Sequence, residues 1–233
     1  MTVKLKPKQT IIALDVNSLE EIKSLLAIID KDLFRLKVGK QLFTSQGPKA
    51  IDELRSLGFD IFLDLKLHDI PNTVSKSLAN ICNLGVWMSN IHLLGGQEMI
   101  QEASATVKKS NSDMILVGVT ILTSLNENNL VELGFNSSAE EIAIKLAKLG
   151  KQNGVDGVVC SIEDISGIKA SLGGDFLSIT PGVRMSQDND DQKRSGSIYN
   201  AIQFGTDFVV VGREITQAKN PEGVLKKIES LIV

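Results

Sequence analysis

A short apolar run followed by an amphipathic segment recurs along this chain, and the alternation limits the possible folds more than any other feature. The apolar runs, predicted to be strands, lie at residues 10–16, 34–40, 60–67, 88–94, 114–120, 157–160, 176–180 and 208–212. The amphipathic segments, predicted to be helices, lie at 19–29, 48–57, 73–84, 97–109, 139–153, 163–171, 197–204 and 221–232. Alternating strands and helices form parallel sheets with right-handed crossovers. Eight such units in 233 residues predict an α/β fold, a single-domain (β/α)8 TIM barrel over residues 1–233, with an open doubly wound sheet as the alternative.

Capping residues mark the ends of several predicted helices. Ser18 precedes the first helix and Glu21 follows three residues later, which is the spacing of a capping box. Gly58 and Gly85 stand where the second and third helices should stop, because glycine readily adopts the left-handed conformation found at helix ends.

The charge balance excludes two broad classes of partner. Lysine and arginine number 25 against 28 aspartate and glutamate, so a formal charge of −3 gives no general attraction to nucleic acid or anionic membrane. Any anionic ligand must therefore be held by a locally basic site.

No apolar run reaches membrane-spanning length, and the first residues lack the apolar stretch of a signal peptide. We expect a cytoplasmic protein whose two cysteines, Cys82 and Cys160, are buried free thiols.

Polar residues fall at or just past the carboxyl ends of the predicted strands. They are Asp15, Lys37, Asp64, Lys66, Thr123, Arg184 and Arg213. In a parallel barrel those strand ends form one face, where catalytic groups gather. Charged residues otherwise fit badly in a sheet that helices cover. The pattern therefore predicts a functional site at this end of the barrel.

The most informative stretch is residues 62–73, FLDLKLHDIPNT. With a period of two, Leu63, Leu65 and Leu67 face the surrounding helices, whereas Asp64 and Lys66 share the opposite face. Asp69 follows three residues after Lys66, where the strand gives way to a loop. Three charges of alternating sign so close together are costly inside a barrel unless they form a paired network. A purely structural ion-pair cluster is the alternative to a catalytic site.

The run D-x-K-x-x-D-I-P-x-T in this stretch resembles the signature of the orotidine 5′-phosphate decarboxylases. The resemblance continues, in order, through LDV at 14–16, LKVG at 36–39, LTS at 122–124, TPGVR at 180–184, DDQKR at 190–194 and VVVGR at 209–213. One departure is visible, because the family usually has Thr-Pro shortly after the DQ-x-R segment and this chain has Ser197-Ile198. The departure leaves the start of the next helix open.

The resemblance implies the roles of the charged residues. Lys66 matches the family's catalytic lysine, and Asp64 and Asp69 match the carboxylates that flank it. Lys37 matches the lysine that completes the charge network and contacts the ribose. A homodimer is implied as well, with Asp69 reaching into the partner subunit's site.

The resemblance also implies a substrate-binding set. Asp15 would bind a ribose hydroxyl, and Thr123 would read the pyrimidine, near Pro181 of TPGVR. Ile70 and Thr73 would be contributed across the dimer interface. The phosphate-binding set would comprise Arg184, Gln192, Gly212 and Arg213. We interpret residues 185–193 as a mobile lid that brings Gln192 onto the phosphate and excludes water.

The implied reaction converts orotidine 5′-phosphate to UMP without metal or cofactor. Loss of CO2 from C6 of the pyrimidine leaves a carbanion that the ring π-system cannot delocalise, so the available help is electrostatic. An ammonium near C6 stabilises that charge and then supplies the proton. His68 and His92 have no metal-ligand spacing, and we expect both to be structural or to face loops, whereas Trp87 is expected in the core or an interface.

Two other functions compete with this interpretation. Related barrels that act on sugar phosphates, as decarboxylases or aldolase-type synthases, also carry D-x-K-x-x-D but use a divalent metal, and they lack I-P-x-T together with DDQ. A nucleotide-binding protein without activity would need the phosphate-binding set but not the four charged residues Lys37, Asp64, Lys66 and Asp69.

Overall fold

Eight parallel strands close into a barrel in the computed structural model, which describes residues 4–185 and 196–232. They are β1 (Thr10–Leu14), β2 (Phe34–Gly39), β3 (Ile61–Leu67), β4 (Met88–His92), β5 (Ile115–Val119), β6 (Gly157–Val159), β7 (Leu177–Pro181) and β10 (Phe208–Val211). The strand order is β1-β10-β7-β6-β5-β4-β3-β2, and β1 pairs with both β2 and β10. This closure confirms the predicted TIM barrel and excludes the open sheet. Two short strands, β8 (Val183–Arg184) and β9 (Gly196–Ser197), pair with each other outside it.

Helices follow the strands and surround the barrel. They are α1 (Lys23–Leu26), α2 (Lys40–Gln46), α3 (Pro48–Ser56), α4 (Pro71–Asn83), α5 (Gly96–Lys109), α6 (Glu127–Glu132), α7 (Ala139–Gln152), α8 (Ile165–Leu172), α9 (Ile198–Gln203), α10 (Arg213–Thr216) and α11 (Pro221–Glu229). Among these described elements, α2, α6 and α10 were not predicted. Each has seven residues or fewer, too short for a helical period to stand out in the sequence.

The first predicted helix, 19–29, is wrong in extent. The chain forms a 3-10 turn at Glu20–Ile22 and then the four-residue α1. The predicted cap fails because the Ser18 hydroxyl donates to the Glu21 carboxylate, at 3.3 Å, and the residue at the N-cap position of the turn is Leu19, whose side chain cannot accept a hydrogen bond. The helix stops at Gly58 and Gly85 are confirmed, since they follow α3 and α4 with φ of 89° and 62°.

Side chains on the strands alternate between two apolar layers. Ile11, Phe62 and Met88 point into the barrel and pack with one another, whereas Ile12 and Leu63 point outward against the helices. Cys82 and Cys160 are buried and free, as predicted. None of the helices in the described part of the chain is long and apolar enough to cross a membrane.

The amino-terminal end of the barrel is filled by a stack of aromatic and guanidinium groups. Arg35 lies over the ring of Trp87 at 3.8 Å, and the edge of Trp87 meets Phe208 at 5.1 Å between ring centres. Trp87 is half-buried there, and Asp60 faces Arg35 at 3.3 Å. In TIM-barrel enzymes the active site lies at the opposite, carboxyl-terminal end of the barrel.

Candidate active site

Four charged side chains form a continuous chain of ion pairs at the carboxyl ends of neighbouring strands. Lys37 Nζ lies 3.3 Å from Asp15 Oδ1 and 3.4 Å from Asp64 Oδ2. Lys66 Nζ lies 2.6 Å from Asp64 Oδ1. The strand register brings them together, because Ala13 is opposite Lys37 and Gly39 is opposite Asp64. The structure thus assembles, in alternating sign, four of the residues predicted for the site.

Asp64 and Lys37 are the buried members of this chain. Burial alone would raise the pKa of Asp64, but the charges of Lys37 and Lys66 and the hydrogen bonds to Asp64 outweigh it, and the pKa lies below the ordinary value. Burial alone would lower the pKa of Lys37, but the charges of Asp64 and Asp15 outweigh it and the pKa is raised. Both groups are therefore ionised across the neutral pH range.

Lys66 sits in an irregular part of β3. Its φ is +51°, in the left-handed region that non-glycine residues seldom adopt, and the pairing of β3 with β4 shifts register between Leu63 and Leu67. Its side chain is 30% exposed, whereas that of Asp64 is 9% exposed. The ammonium is therefore held on a buried carboxylate while it remains open to the mouth of the barrel.

Asn90, on β4, is a site residue that sequence reasoning missed. It is fully buried, and its side chain bonds to both the backbone of Lys66 and the carboxylate of Asp64. The available signal was the polar run S-N-I-H inside a buried strand, which places Asn90 and His92 on one face.

Two glycines leave room around the ion pairs. A β-carbon added at Gly39 would lie 3.1 Å from Lys37 Nζ, and one added at Gly212 would lie 3.5 Å from Asp15 Oδ2. Gly212 follows β10, and β10 lies beside β1 in the barrel. The site thus extends over four adjacent strands, from Gly212 past Asp15 to Lys66.

The arginines predicted for the phosphate lie at the Gly212 end of this site. Arg184 belongs to β8, and Arg213 is exposed at the start of α10. The backbone N–H of Met185 donates to Glu214 at 2.8 Å, which ties the segment after Arg184 to the residue after Arg213. Gln192 and most of the predicted lid at 185–193 lie outside the described residues.

The remaining predicted residues border the same end of the barrel. Pro181 ends β7, and Thr123 lies in the turn after β5, and both are half-buried. Ser197 resolves the departure from the family pattern, because it caps α9 by accepting from the backbone N–H of Asn200 at 3.1 Å. The helix begins at Ile198 without the proline that the family usually has there.

Asp69 stands apart from the four ion-paired residues within one subunit. Its carboxylate accepts from the backbone N–H of Ile70 at 2.7 Å, and no described lysine or arginine forms an ion pair with it. Asp69, Ile70 and Thr73 are all exposed, Ile70 by 65%. The three residues assigned to a shared interface therefore lie together on the surface beside the barrel mouth.

Two histidines stack next to Lys66. The rings of His68 and His92 are 5.2 Å apart, with His68 exposed after β3 and His92 buried at the end of β4. Burial, and then the charges of His68, Lys66 and Lys40, lower the pKa of His92 to about 4. His92 is therefore neutral at physiological pH and adds no charge beside the lysine.

Comparisons with known proteins show to which family the chain belongs. The chain matches the family model described as "Orotidine 5'-phosphate decarboxylase / HUMPS family" over residues 8–228. It is 45% identical over 221 residues to an orotidine 5'-phosphate decarboxylase of Saccharophagus degradans, covering 94% of this chain and 93% of that protein. It is 42% identical over 225 residues to one from Teredinibacter turnerae, covering 96% of this chain and 97% of that protein.

Solved structures share the fold over the same length. The crystal structure of orotidine 5'-phosphate decarboxylase from Lactobacillus acidophilus superposes with a TM-score of 0.83 at 34% identity, covering 97% of this chain and 98% of that one. An uncharacterized conserved protein from Geobacillus kaustophilus gives 0.82 at 30% identity, over 95% of this chain and 98% of that one. Because the family model and these relatives span nearly the whole chain, this protein belongs to the orotidine 5'-phosphate decarboxylase / HUMPS family.

Proposed function

We propose that this protein decarboxylates orotidine 5′-phosphate to UMP in pyrimidine biosynthesis, without a metal or an organic cofactor. The observation that carries the proposal is the alternating chain Asp15–Lys37–Asp64–Lys66 at the barrel mouth. The named relatives support the choice of substrate. The cytoplasm suits a chain with two buried free thiols, since thiols stay reduced there.

The reaction requires a positive charge close to C6 of the pyrimidine. Departure of CO2 leaves an electron pair in the plane of the ring, and the C–C bond electrons remain on C6 until a proton arrives. Lys66 is the proton donor in this proposal, because its ammonium is both ion-paired and partly exposed. At an effective dielectric constant near 20, one ammonium about 4 Å from the carbanion contributes ~4 kcal/mol. Since enzymes lower barriers by about 8–23 kcal/mol, other groups must contribute as well.

The carboxylates beside Lys66 have two roles in the proposal. Asp64, whose lowered pKa keeps it ionised, pairs with the Lys66 ammonium at 2.6 Å and fixes its position. Asp64, and Asp69 from the partner subunit, also face the carboxylate of the substrate, and the repulsion between them is relieved as CO2 leaves.

The rest of the substrate is held along the strands that lead away from Lys66. Lys37 and Asp15 bind the ribose hydroxyls, and Thr123 and Pro181 contact the pyrimidine. The phosphate is bound at the other end by Arg184, Gln192, Gly212 and Arg213. Binding of this remote group orients C6 against Lys66, so part of the phosphate's binding energy is used in the transition state.

We further propose that the active form is a homodimer. Asp69, Ile70 and Thr73 would then enter the neighbouring subunit's site. The exposure of Ile70, 65% for a large apolar side chain, supports a partner at this surface. A twofold interface would exchange the three residues reciprocally.

The engagement of Asp64 supports chemistry without a metal. Its Oδ1 accepts from Lys66 and Asn90, and its Oδ2 contacts Lys37. A divalent cation at this carboxylate would have to displace at least one ammonium from a contact that burial strengthens.

The proposal is tested by following the loss of orotidine 5′-phosphate absorbance with a chelator present. Turnover unaffected by the chelator, with UMP as the product, supports it. If the chelator abolishes turnover and Mg²⁺ restores it, the metal-dependent relatives describe the protein better. If orotidine 5′-phosphate is bound but not consumed under either condition, the protein is a binding protein.

A further inference from the structure

The backbone around Lys66 departs from a regular strand. Leu63 pairs with Ser89 and Leu67 pairs with Ile91, so the three residues 64–66 stand opposite Asn90 alone. The regular ladder therefore provides no partner for the backbone N–H of Lys66, and the lysine adopts a φ of +51°. A non-glycine residue stays in that conformation only where neighbouring groups hold it.

Asn90 provides what the ladder lacks. Its Oδ1 accepts the backbone N–H of Lys66 at 2.7 Å, and its Nδ2 donates to Asp64 Oδ1 at 2.7 Å. The same Oδ1 of Asp64 also accepts from Lys66 Nζ at 2.6 Å. The amide group of Asn90 therefore hydrogen-bonds both to the backbone of Lys66 and to the carboxylate that pairs with the Lys66 ammonium.

The two partners of the Asn90 side chain require one acceptor and one donor. A backbone N–H can only donate and an ionised carboxylate can only accept, so the orientation of the Asn90 side chain is fixed chemically. A leucine offers neither group, and an ionised aspartate can accept from Lys66 but repels Asp64. A protonated carboxyl group, in contrast, has one donor and one acceptor in the same places as the amide.

We propose that Asn90 is a positioning residue for the decarboxylation, which holds Lys66 in its left-handed conformation and aims its ammonium at the reacting carbon. The inference rests on the proposed function and names a residue that acts through Lys66 and Asp64 without touching the substrate. It predicts that loss of the amide reduces kcat and leaves the affinity for UMP largely unchanged, because the ribose and phosphate contacts lie on other strands.

The test compares Asn90→Leu and Asn90→Asp with the wild type and with Ser89→Ala. Ser89 is the matched control, since it is equally buried, adjacent on β4, and bonds through its hydroxyl to the backbone oxygen of Leu63 at 3.0 Å. Asn90→Leu should lose about 100-fold in kcat, the usual effect of a displacement near 1 Å at a reacting group. Ser89→Ala should keep kcat within about threefold, and all variants should bind UMP within about tenfold of the wild type.

Asn90→Asp gives a readout that a merely structural residue would not. Burial and the neighbouring Asp64 raise the pKa of the introduced carboxyl group. Its kcat relative to the wild type should therefore rise as the pH falls, because the protonated group again donates to Asp64 and accepts from Lys66. The corresponding ratio for Asn90→Leu should not depend on pH. The pH comparison needs only Asn90→Asp, which matches asparagine in shape, if the leucine variant does not fold.

Hydrogen exchange of the Lys66 backbone amide tests its hydrogen bond to Asn90 independently of turnover. It should be slow in the wild type and in Ser89→Ala, and faster in Asn90→Leu. Equal exchange in all three, or an Asn90→Asp variant with wild-type kcat at every pH, overturns the proposal. So does a loss of UMP affinity as large as the loss of kcat. If the wild type fails to consume orotidine 5′-phosphate but the Lys66 amide exchanges faster only in Asn90→Leu, the proposed function is wrong. The inference that Asn90 holds the backbone of Lys66 then still stands.

Discussion

The buried lysine at the centre of the ion-pair chain allows a quantitative prediction. Lys37→Met removes the charge and keeps most of the side-chain volume. At 3.4 Å and an effective dielectric constant near 20, the attraction between Lys37 and Asp64 is ~5 kcal/mol, which the burial of the ammonium partly offsets. Breaking a buried pair by removing one partner costs about 3–5 kcal/mol, and Asp64 keeps Lys66. We therefore expect the free energy of unfolding at pH 7 to fall by about 3 kcal/mol.

The loss should depend on pH in a defined way. The folded pKa of Asp64 is depressed, so its contribution is present above the unfolded value of about 3.9 and is lost as the pH falls through the folded pKa. The folded pKa of Lys37 is raised, so its contribution is present below about 10.4 and is lost as the pH rises through the folded pKa. The difference between wild type and Lys37→Met should therefore be largest between these limits and shrink below pH ~4.

Urea denaturation followed by fluorescence measures this difference, because Trp87 is the only tryptophan in the chain. The control is Lys8→Met, which removes an ion pair to Asp60 of 2.9 Å at the other end of the barrel. Because both partners there are about one-third exposed, its loss should be about 1 kcal/mol or less. A Lys37→Met protein as stable as the wild type at pH 7, or a loss that is the same at every pH, would refute the reasoning.

Two further predictions concern the phosphate and the dimer. Arg213→Ala should greatly lower kcat/KM for orotidine 5′-phosphate and barely change it for a substrate without the phosphate, whereas equal losses would assign Arg213 to the fold or to the base. Lys66→Ala and Asp69→Ala homodimers should both be nearly inactive, but refolding them together in equal amounts should restore activity at about a quarter of all sites, because a twofold mixed dimer has one unmutated site. A dead mixture in which mixed dimers are shown to form would place Asp69 in its own subunit's site.

The barrel fold and the four ion-paired residues of the site were predicted from the pattern of apolar and charged residues. Short apolar runs predicted all eight barrel strands, and the period of two correctly placed Asp64 inside and Leu63 outside. Because the carboxyl ends of parallel strands form one face of a barrel, Asp15 and Lys37 were expected on the same face, and they lie 3.3 Å apart. These features are predictable because each depends on a regular strand geometry.

The features that the sequence did not reveal depend on irregular geometry. The register shift before Leu67 and the left-handed Lys66 leave no periodic signal, because period-two reasoning assumes a straight ladder. Asn90 is a single polar residue in a strand, and its importance becomes apparent only when its two hydrogen bonds are seen. The proposed role of Asp69 depends on a second subunit, whose position strand periodicity does not predict.

The central claim is that the ammonium of Lys66, held on Asp64, stabilises and protonates the carbanion. The most direct measurement is the rate of conversion of bound orotidine 5′-phosphate to UMP by wild type and Lys66→Ala, alongside the affinity of each for UMP. We predict that the substitution abolishes turnover and changes the UMP dissociation constant by less than about tenfold, because the charge acts mainly in the transition state. Turnover near the wild-type rate in Lys66→Ala would contradict the account.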